Sequence, residues 1–238
     1  DWDYLTKLAP NDGSVKLQKI TTQMGVLVVA GPKSREVLQK LTDTDLSNDN
    51  FKWLTGKSIN VGYAQAEALR VNFVGELGWE LHHPIEMQNY IFDQLMIAGA
   101  EFEIKPFGIR AMDSMRLEKS YRLIPREMSI EYSAFESGLD RFVKLDKDGD
   151  FVGKQGLLDW QRRGFENCFA TLEIHDVVDA DARGSEGLYK DGQLVGRATS
   201  GGFGFRVNKS LALGLVKTAY GAIGTELEIE ILGERYRA

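Results

Sequence analysis

The stretch Leu69-Arg70-Val71-Asn72-Phe73-Val74-Gly75-Glu76-Leu77-Gly78-Trp79-Glu80-Leu81 frames the reading of the whole chain. Apolar residues alternate with polar ones from Leu69 to Phe73, which predicts a half-buried strand. Gly75 and Gly78 then make a corner, and the strand pattern resumes at Trp79-Glu80-Leu81. Successive side chains on a strand point to opposite faces, so Trp79 and Leu81 share one face and Glu80 takes the other. With Trp79 and Leu81 on the core, Glu80 stands on the open side of the sheet. Most carboxylates so placed are plain surface residues. A carboxylate fixed on a rigid strand can also accept two parallel N–H bonds from a planar ring.

Toward the N-terminus, Trp2, Leu5 and Leu8 recur at helical spacing until Pro10-Asn11-Asp12-Gly13 breaks the pattern. Strands are predicted at Val15–Ile20 and Gly25–Ala30, the second nearly all apolar and so central in its sheet. Gly31-Pro32 opens a helix with Val37, Leu38 and Leu41 as its apolar positions. A further strand follows at Ile59, Val61 and Tyr63. Beyond the framing stretch, Glu86–Ala98 carries Met87, Ile91 and Leu95 on one stripe, the mark of an amphipathic helix. A second helix is predicted from Phe107 to about Leu123, with Glu118 and Arg122 as a surface pair.

The composition changes after Arg126. Ser129–Asp150 reads as a connector, Lys154–Arg163 as a short helix, and everything from Asn167 as β-structure. Asp191-Gly192 between two apolar runs signals a hairpin, and further strands fall at 198–200, 211–216, 226–232 and 234–237. The expected fold class is α+β: a mixed α/β layer over 1–126, a connector with a short helix over 127–165, and a small C-terminal β-barrel over 166–238.

With 43% hydrophobic and 27% charged residues, 238 residues suffice for a packed core and leave no reason to expect disorder. A net charge of -6 argues against nucleic acid as a partner, because phosphate neutralisation needs a basic face. The one cysteine, Cys168, excludes an internal disulfide framework and fits a reducing compartment. No apolar run approaches the ~20 residues of a membrane span, and no signal peptide is evident. The expected location is cytoplasmic, with no membrane partner. Asp1 is not an initiator methionine, a helical pattern is already under way there, and Glu234–Ala238 reads as a strand still running; a fragment of a longer polypeptide is expected.

Several chemistries drop out. His82 and His83 are adjacent and point apart, and one cysteine leaves too few ligands for structural zinc, so no metal is expected. Asp146-Lys147-Asp148-Gly149-Asp150 has its glycine two positions early for a calcium loop and lacks the closing glutamate. Gly201-Gly202-Phe203-Gly204 lacks the third glycine of a dinucleotide loop, and Gly31-Pro32-Lys33-Ser34 lacks phosphate-loop spacing.

The run from Arg70 to Glu80 resembles the Arg-x-x-[Tyr/Phe]-x-Gly-Glu-x-Gly-[Phe/Trp]-Glu signature of the aminomethyltransferase (glycine cleavage T-protein) superfamily. Colinear matches occur at Ala30-Gly31-Pro32-Lys33-Ser34, Asp113-Ser114-Met115-Arg116-Leu117-Glu118, Phe135-Glu136-Ser137-Gly138-Leu139, Phe151-Val152-Gly153-Lys154 and Thr199-Ser200-Gly201. The wording of 74–81 and 114–119 is most similar to the folate-binding half of dimethylglycine and sarcosine dehydrogenases. The resemblance implies tetrahydrofolate as cofactor and one-carbon transfer that forms 5,10-methylenetetrahydrofolate. It also implies a parent whose N-terminal flavin domain, carrying FAD, oxidises a methylated amine substrate.

By the same resemblance the folate-binding residues are Glu80, Phe73, Tyr121 and Trp79. Glu80 grips the donor edge of the pterin. Phe73 replaces a family tyrosine and keeps the ring without the hydroxyl, and Tyr121 matches another ligand-side tyrosine. Met112 departs from the pattern, since the family has an arginine there for the folate tail; Arg110 faces about 200° away on a helix. Arg116 and Glu118 fit structural ion pairing better than catalysis. The resemblance places the catalytic aspartate upstream of Asp1, so the isolated chain is expected to bind folate weakly or not at all and not to turn over. Two alternatives stand beside this reading: a non-catalytic folate-binding protein of the iron–sulfur-maturation branch, and a folate-dependent demethylase.

Overall fold

The computed structural model describes all 238 residues, which divide into two compact units. One comprises Asp1–Asn72 and Glu76–Pro106, the other Phe73–Gly75 and Phe107–Ala238.

The first unit contains α1 (Trp2–Leu8), β1 (Met24–Ala30), α2 (Ser34–Gln39), β2 (Gly56–Val61), β3 (Ala64–Leu69), β4 (Gly78–Pro84) and α3 (Gln88–Gly99). Its four strands form an antiparallel sheet in the order β1-β4-β3-β2. The inward residues of the strands (Val29, Ile59, Ala66, Ala68, Trp79 and Leu81) pack with Val37 and Leu38 of α2 and Ile91 and Leu95 of α3. The apolar stripe read from 86–98 is thus the buried face of α3, preceded by a 3-10 turn at Ile85–Met87.

Three expectations change here. Residues 15–20 form no strand: all but Leu17 are exposed, and no neighbouring ladder exists to pair their backbone. β1 is an edge strand rather than a central one. Its inner residues meet the core, while Val26 and Val28 remain 46% and 42% exposed on the other face. A run of apolar residues states a tendency to be buried; it does not state how many neighbours the strand has. The strand ahead of the Gly75 corner is also shorter than alternation suggests, ending at Leu69. Asn72 competes for the backbone beyond it, bonding through its side chain to both the Glu76 N–H and the Glu76 carbonyl.

The second unit contains α4 (Ile109–Glu118), α5 (Lys154–Arg163) and the strands β5 (Asn167–Ile174), β6 (Gly187–Lys190), β7 (Gln193–Gly204), β8 (Lys209–Lys217), β9 (Glu228–Ile231) and β10 (Glu234–Arg237). The six strands are antiparallel in the order β10-β9-β6-β7-β8-β5. Its outer edges approach each other where the His175 N–H, just past β5, donates to the Arg237 carbonyl at 2.9 Å. The sheet is therefore a nearly closed barrel around Leu188, Val195, Ala212, Val216 and Ile229. The hairpin at Asp191-Gly192 has positive φ at both residues, +49° and +76°, as a two-residue turn matched to strand twist requires.

α4 belongs to this second unit, although its sequence position precedes the 126/127 boundary read from composition. Ser114 Oγ donates to the Phe203 carbonyl of β7 at 2.7 Å, and Arg116 reaches Ser200 on the same strand. The Glu118–Arg122 pair does not form, because α4 ends at Glu118 and Ser120 takes a left-handed φ of +56°. Arg122 instead donates to the carbonyls of Ser120, Ser137 and Gly138, and Glu118 accepts the Arg206 N–H.

Cys168, on β5, is half-buried, and that burial pushes its thiol pKa up. Thiolate is the reactive form, so alkylation by iodoacetamide at pH 7 is expected to be slower in the folded chain than in urea and to accelerate as pH rises. Mass spectrometry of quenched time points checks this.

Candidate functional site

β4 carries the sequence's most informative carboxylate, and its neighbours follow from register. On the face away from α2 and α3, Glu80 lies opposite Val28 of β1 and Leu69 of β3. The next row sets His82 opposite Val26 and Glu67, and Glu67 opposite Ser58 of β2. Residues directly opposite in antiparallel strands have Cβ atoms about 4.5–5.5 Å apart. Glu80 is therefore flanked on both sides by apolar side chains, with a histidine beside it along its own strand.

The Glu80 and His82 side chains are 31% and 32% exposed. His82 Nε2 lies 3.2 Å from Glu80 Oε2, while Oε1 has no protein partner. A carboxylate has about four acceptor positions, so the contact with His82 orients Glu80 and leaves most of its capacity free. Glycine shapes the corner just before it: a Cβ at Gly78 would lie 2.7 Å from the Val29 carbonyl oxygen, so only glycine admits the close approach of β1.

His83 shows the opposite face. It is fully buried, 2.8 Å from both the Leu81 carbonyl oxygen and Gln88 Oε1. Trp79 is also fully buried, with the Phe51 ring against it at 6.1 Å in an edge-on arrangement. Trp79 thus corrects the sequence reading. The alternation that turns Glu80 outward turns Trp79 inward, so its ring offers no surface to a ligand.

The other two predicted residues lie in the second unit and meet each other there. The Phe73 and Tyr121 rings have centroids 6.1 Å apart at a 33° tilt, and both residues are half-buried. Tyr121 is held by its backbone: its N–H donates to the Arg116 carbonyl, and its own carbonyl accepts from the Arg116 guanidinium at 3.0 Å. Met112 is half-buried on α4 and Arg110 is exposed on the same helix.

Sequence reasoning missed the charge cluster that fixes this region. Arg116 and Glu127 are both fully buried and 3.1 Å apart. Glu127 also accepts from the Leu123 N–H, Thr199 Oγ1 and Ser200 Oγ, and Arg116 further donates to Asp113 and Ser200. Glu127 sits in no recognisable motif, and its partners are up to 73 residues away along the chain. A cavity of about 600 Å³ elsewhere in the unit is lined by Glu173, His175, Asp176, Asp179, Asp181 and Lys209, none of them a predicted site residue.

Residues 1–147 match the family model of the GCVT N-terminal domain, and residues 168–238 match that of the glycine cleavage T-protein C-terminal barrel domain. The chain belongs to the glycine cleavage T-protein family. Among curated T-protein relatives it is 42% identical to human mitochondrial dimethylglycine dehydrogenase over 94% of this chain and 26% of that protein. Mouse mitochondrial sarcosine dehydrogenase is 32% identical over 93% of this chain and 24% of that protein. The aminomethyltransferase of Caldanaerobacter subterraneus is 30% identical over 94% of this chain and 59% of that protein. This T-protein-family chain thus spans about a quarter of the dehydrogenases and less than two thirds of the aminomethyltransferase. In three dimensions it is similar to the glycine cleavage system aminomethyltransferase T from Bartonella henselae, with a TM-score of 0.77 and 24% identity over 90% of this chain and 57% of that one. That likeness establishes the α+β fold with a C-terminal barrel.

Proposed function

We propose that this chain binds a reduced folate and accepts a one-carbon unit on it, as part of an enzyme of the dimethylglycine and sarcosine dehydrogenase type that forms 5,10-methylenetetrahydrofolate. The observation that carries the reading is Glu80: an outward carboxylate on β4, with one oxygen free of protein bonds and Val28 and Leu69 flanking it. The pterin edge presents a ring N–H and an exocyclic amino group, a donor pair that a carboxylate accepts with two parallel bonds. Apolar flanks suit the faces of a flat ring. Phe73 and Tyr121 enter this reading through the family resemblance alone; within the second unit their rings lie side by side, and the Arg116 clamp holds the Tyr121 backbone in place. Met112 offers no charge for a folate carboxylate tail, so affinity on this reading rests on the pterin.

The folate supplies the nitrogen that receives the one-carbon unit. On this reading the oxidation of the methylated amine belongs to an FAD domain outside these 238 residues. The 42% identity to a dimethylglycine dehydrogenase supports this branch over the iron–sulfur-maturation alternative.

Calorimetry with tetrahydrofolate tests the site. Glu80→Gln replaces one acceptor oxygen with a donor that faces a donor, a loss of about 1–3 kcal/mol, or roughly 5- to 150-fold in affinity. Equal affinity in the two proteins would remove Glu80 from the site. Absence of saturable binding to the wild-type chain would defeat the proposal that these 238 residues hold the folate by themselves.

A further inference from the structure

Two arginines of the first unit converge on one neutral oxygen. Arg35, on α2, and Arg70, just past β3, each direct a terminal nitrogen at the same atom, Asn48 Oδ1, at 2.7 and 2.6 Å. Their guanidinium carbons lie 5.9 and 5.8 Å from the centre of the Trp79 ring. Arg70 also donates to the Phe51 carbonyl. Neither arginine takes part in an ion pair, and three buried donors around the same ring (Arg35 Nε, Arg70 Nε and Trp79 Nε1) have no protein acceptor. The proximity of Arg35 adds to burial in holding Arg70 below the usual arginine pKa.

Two cations that share one neutral amide oxygen repel each other, and the carboxylate next to Arg35, Glu36, is exposed and pairs with Lys33 instead. The amide of Asn48 has the shape of a carboxylate and lacks its charge. Asn48 itself is exposed, so the point of convergence opens to solvent. The guanidinium fork matches planar or tetrahedral oxyanions bidentately, which a lone lysine does not.

We propose that Arg35, Arg70 and Asn48 form a binding site for a small oxyanion, a carboxylate or phosphate, which enters from the Asn48 side and takes the acceptor position now held by the amide. The site lies on the helix-covered side of the sheet where Trp79 is packed, whereas Glu80 points to the opposite face. It is therefore separate from the pterin contact proposed above, and its success or failure leaves that proposal untouched.

The test follows the Arg Nε–H resonances of the 238-residue chain by NMR during titration with inorganic phosphate and, separately, with glutarate, at ionic strength held constant with sodium chloride. The expected result is saturable movement of the Arg35 and Arg70 signals with at least one of the two anions, and none in the Arg35→Gln/Arg70→Gln protein. Asn48→Asp supplies a carboxylate from within. It is expected to abolish the response to added anion and to raise the melting temperature by a few degrees, since about 2–4 °C accompanies each kcal/mol in a chain of this size. Signals that do not move, that drift linearly with salt, or that respond equally in Asn48→Asp would overturn the proposal. So would an Asn48→Asp protein no more stable than wild type.

Discussion

Glu127→Ala is expected to destabilise the second unit by about 3–5 kcal/mol, the range for breaking a buried ion pair from one side. The alanine leaves Arg116 fully buried, with Asp113 as its remaining carboxylate, and strands the Leu123 N–H and two hydroxyls that now point at Glu127. Glu127→Gln should cost less, about 1–3 kcal/mol. It keeps the volume, and Thr199 can turn its hydroxyl to the Leu213 carbonyl 3.1 Å away. Replacing Arg116 and Glu127 together with apolar residues of similar size should cost less than the single alanine, because the penalty comes chiefly from a charge left alone in the interior. Urea unfolding monitored by circular dichroism orders the three variants. A Glu127→Ala protein within 1 kcal/mol of wild type would show that the network contributes little.

The same cluster explains what the sequence could not disclose. Alternation around Trp79 and Leu81 is local, and it is enough to set Glu80 on the outer face of β4. The hairpin at Asp191-Gly192 and the helix Lys154–Arg163 are equally local, set by turn chemistry and helical period. Arg116 meets Glu127 and Ser200 only after β7 has folded beside α4, and no short-range pattern records that meeting. The edge position of β1 is another such case, since it depends on how many strands the sheet acquires. The assignment of Glu80 to a pterin came from family resemblance; periodicity supplied only the side of the sheet. The convergence of Arg35 and Arg70 was invisible for a third reason. An arginine beside an asparagine is an ordinary surface composition until the fold brings two of them onto one oxygen.

Trp79→Ala should lower the stability of the first unit by about 3–5 kcal/mol, the loss typical of deleting a fully buried aromatic. The ring is packed within the cluster of Val29, Val37, Leu38 and Leu81 and touches Phe51, so its removal opens a cavity that the sheet and α2 cannot both close. Trp79→Phe is the informative companion. Because Trp79 Nε1 has no acceptor, phenylalanine forfeits no hydrogen bond and loses only volume, about 1–2 kcal/mol. If Trp79 acts only as core, the phenylalanine protein binds tetrahydrofolate as wild type does. The alanine protein then loses affinity only in proportion to its unfolded fraction, because Glu80 depends on the inward anchoring of its neighbours. Thermal melts paired with calorimetry separate the two roles. An affinity loss in Trp79→Phe at unchanged stability would return Trp79 to the ligand surface and contradict its burial in β4.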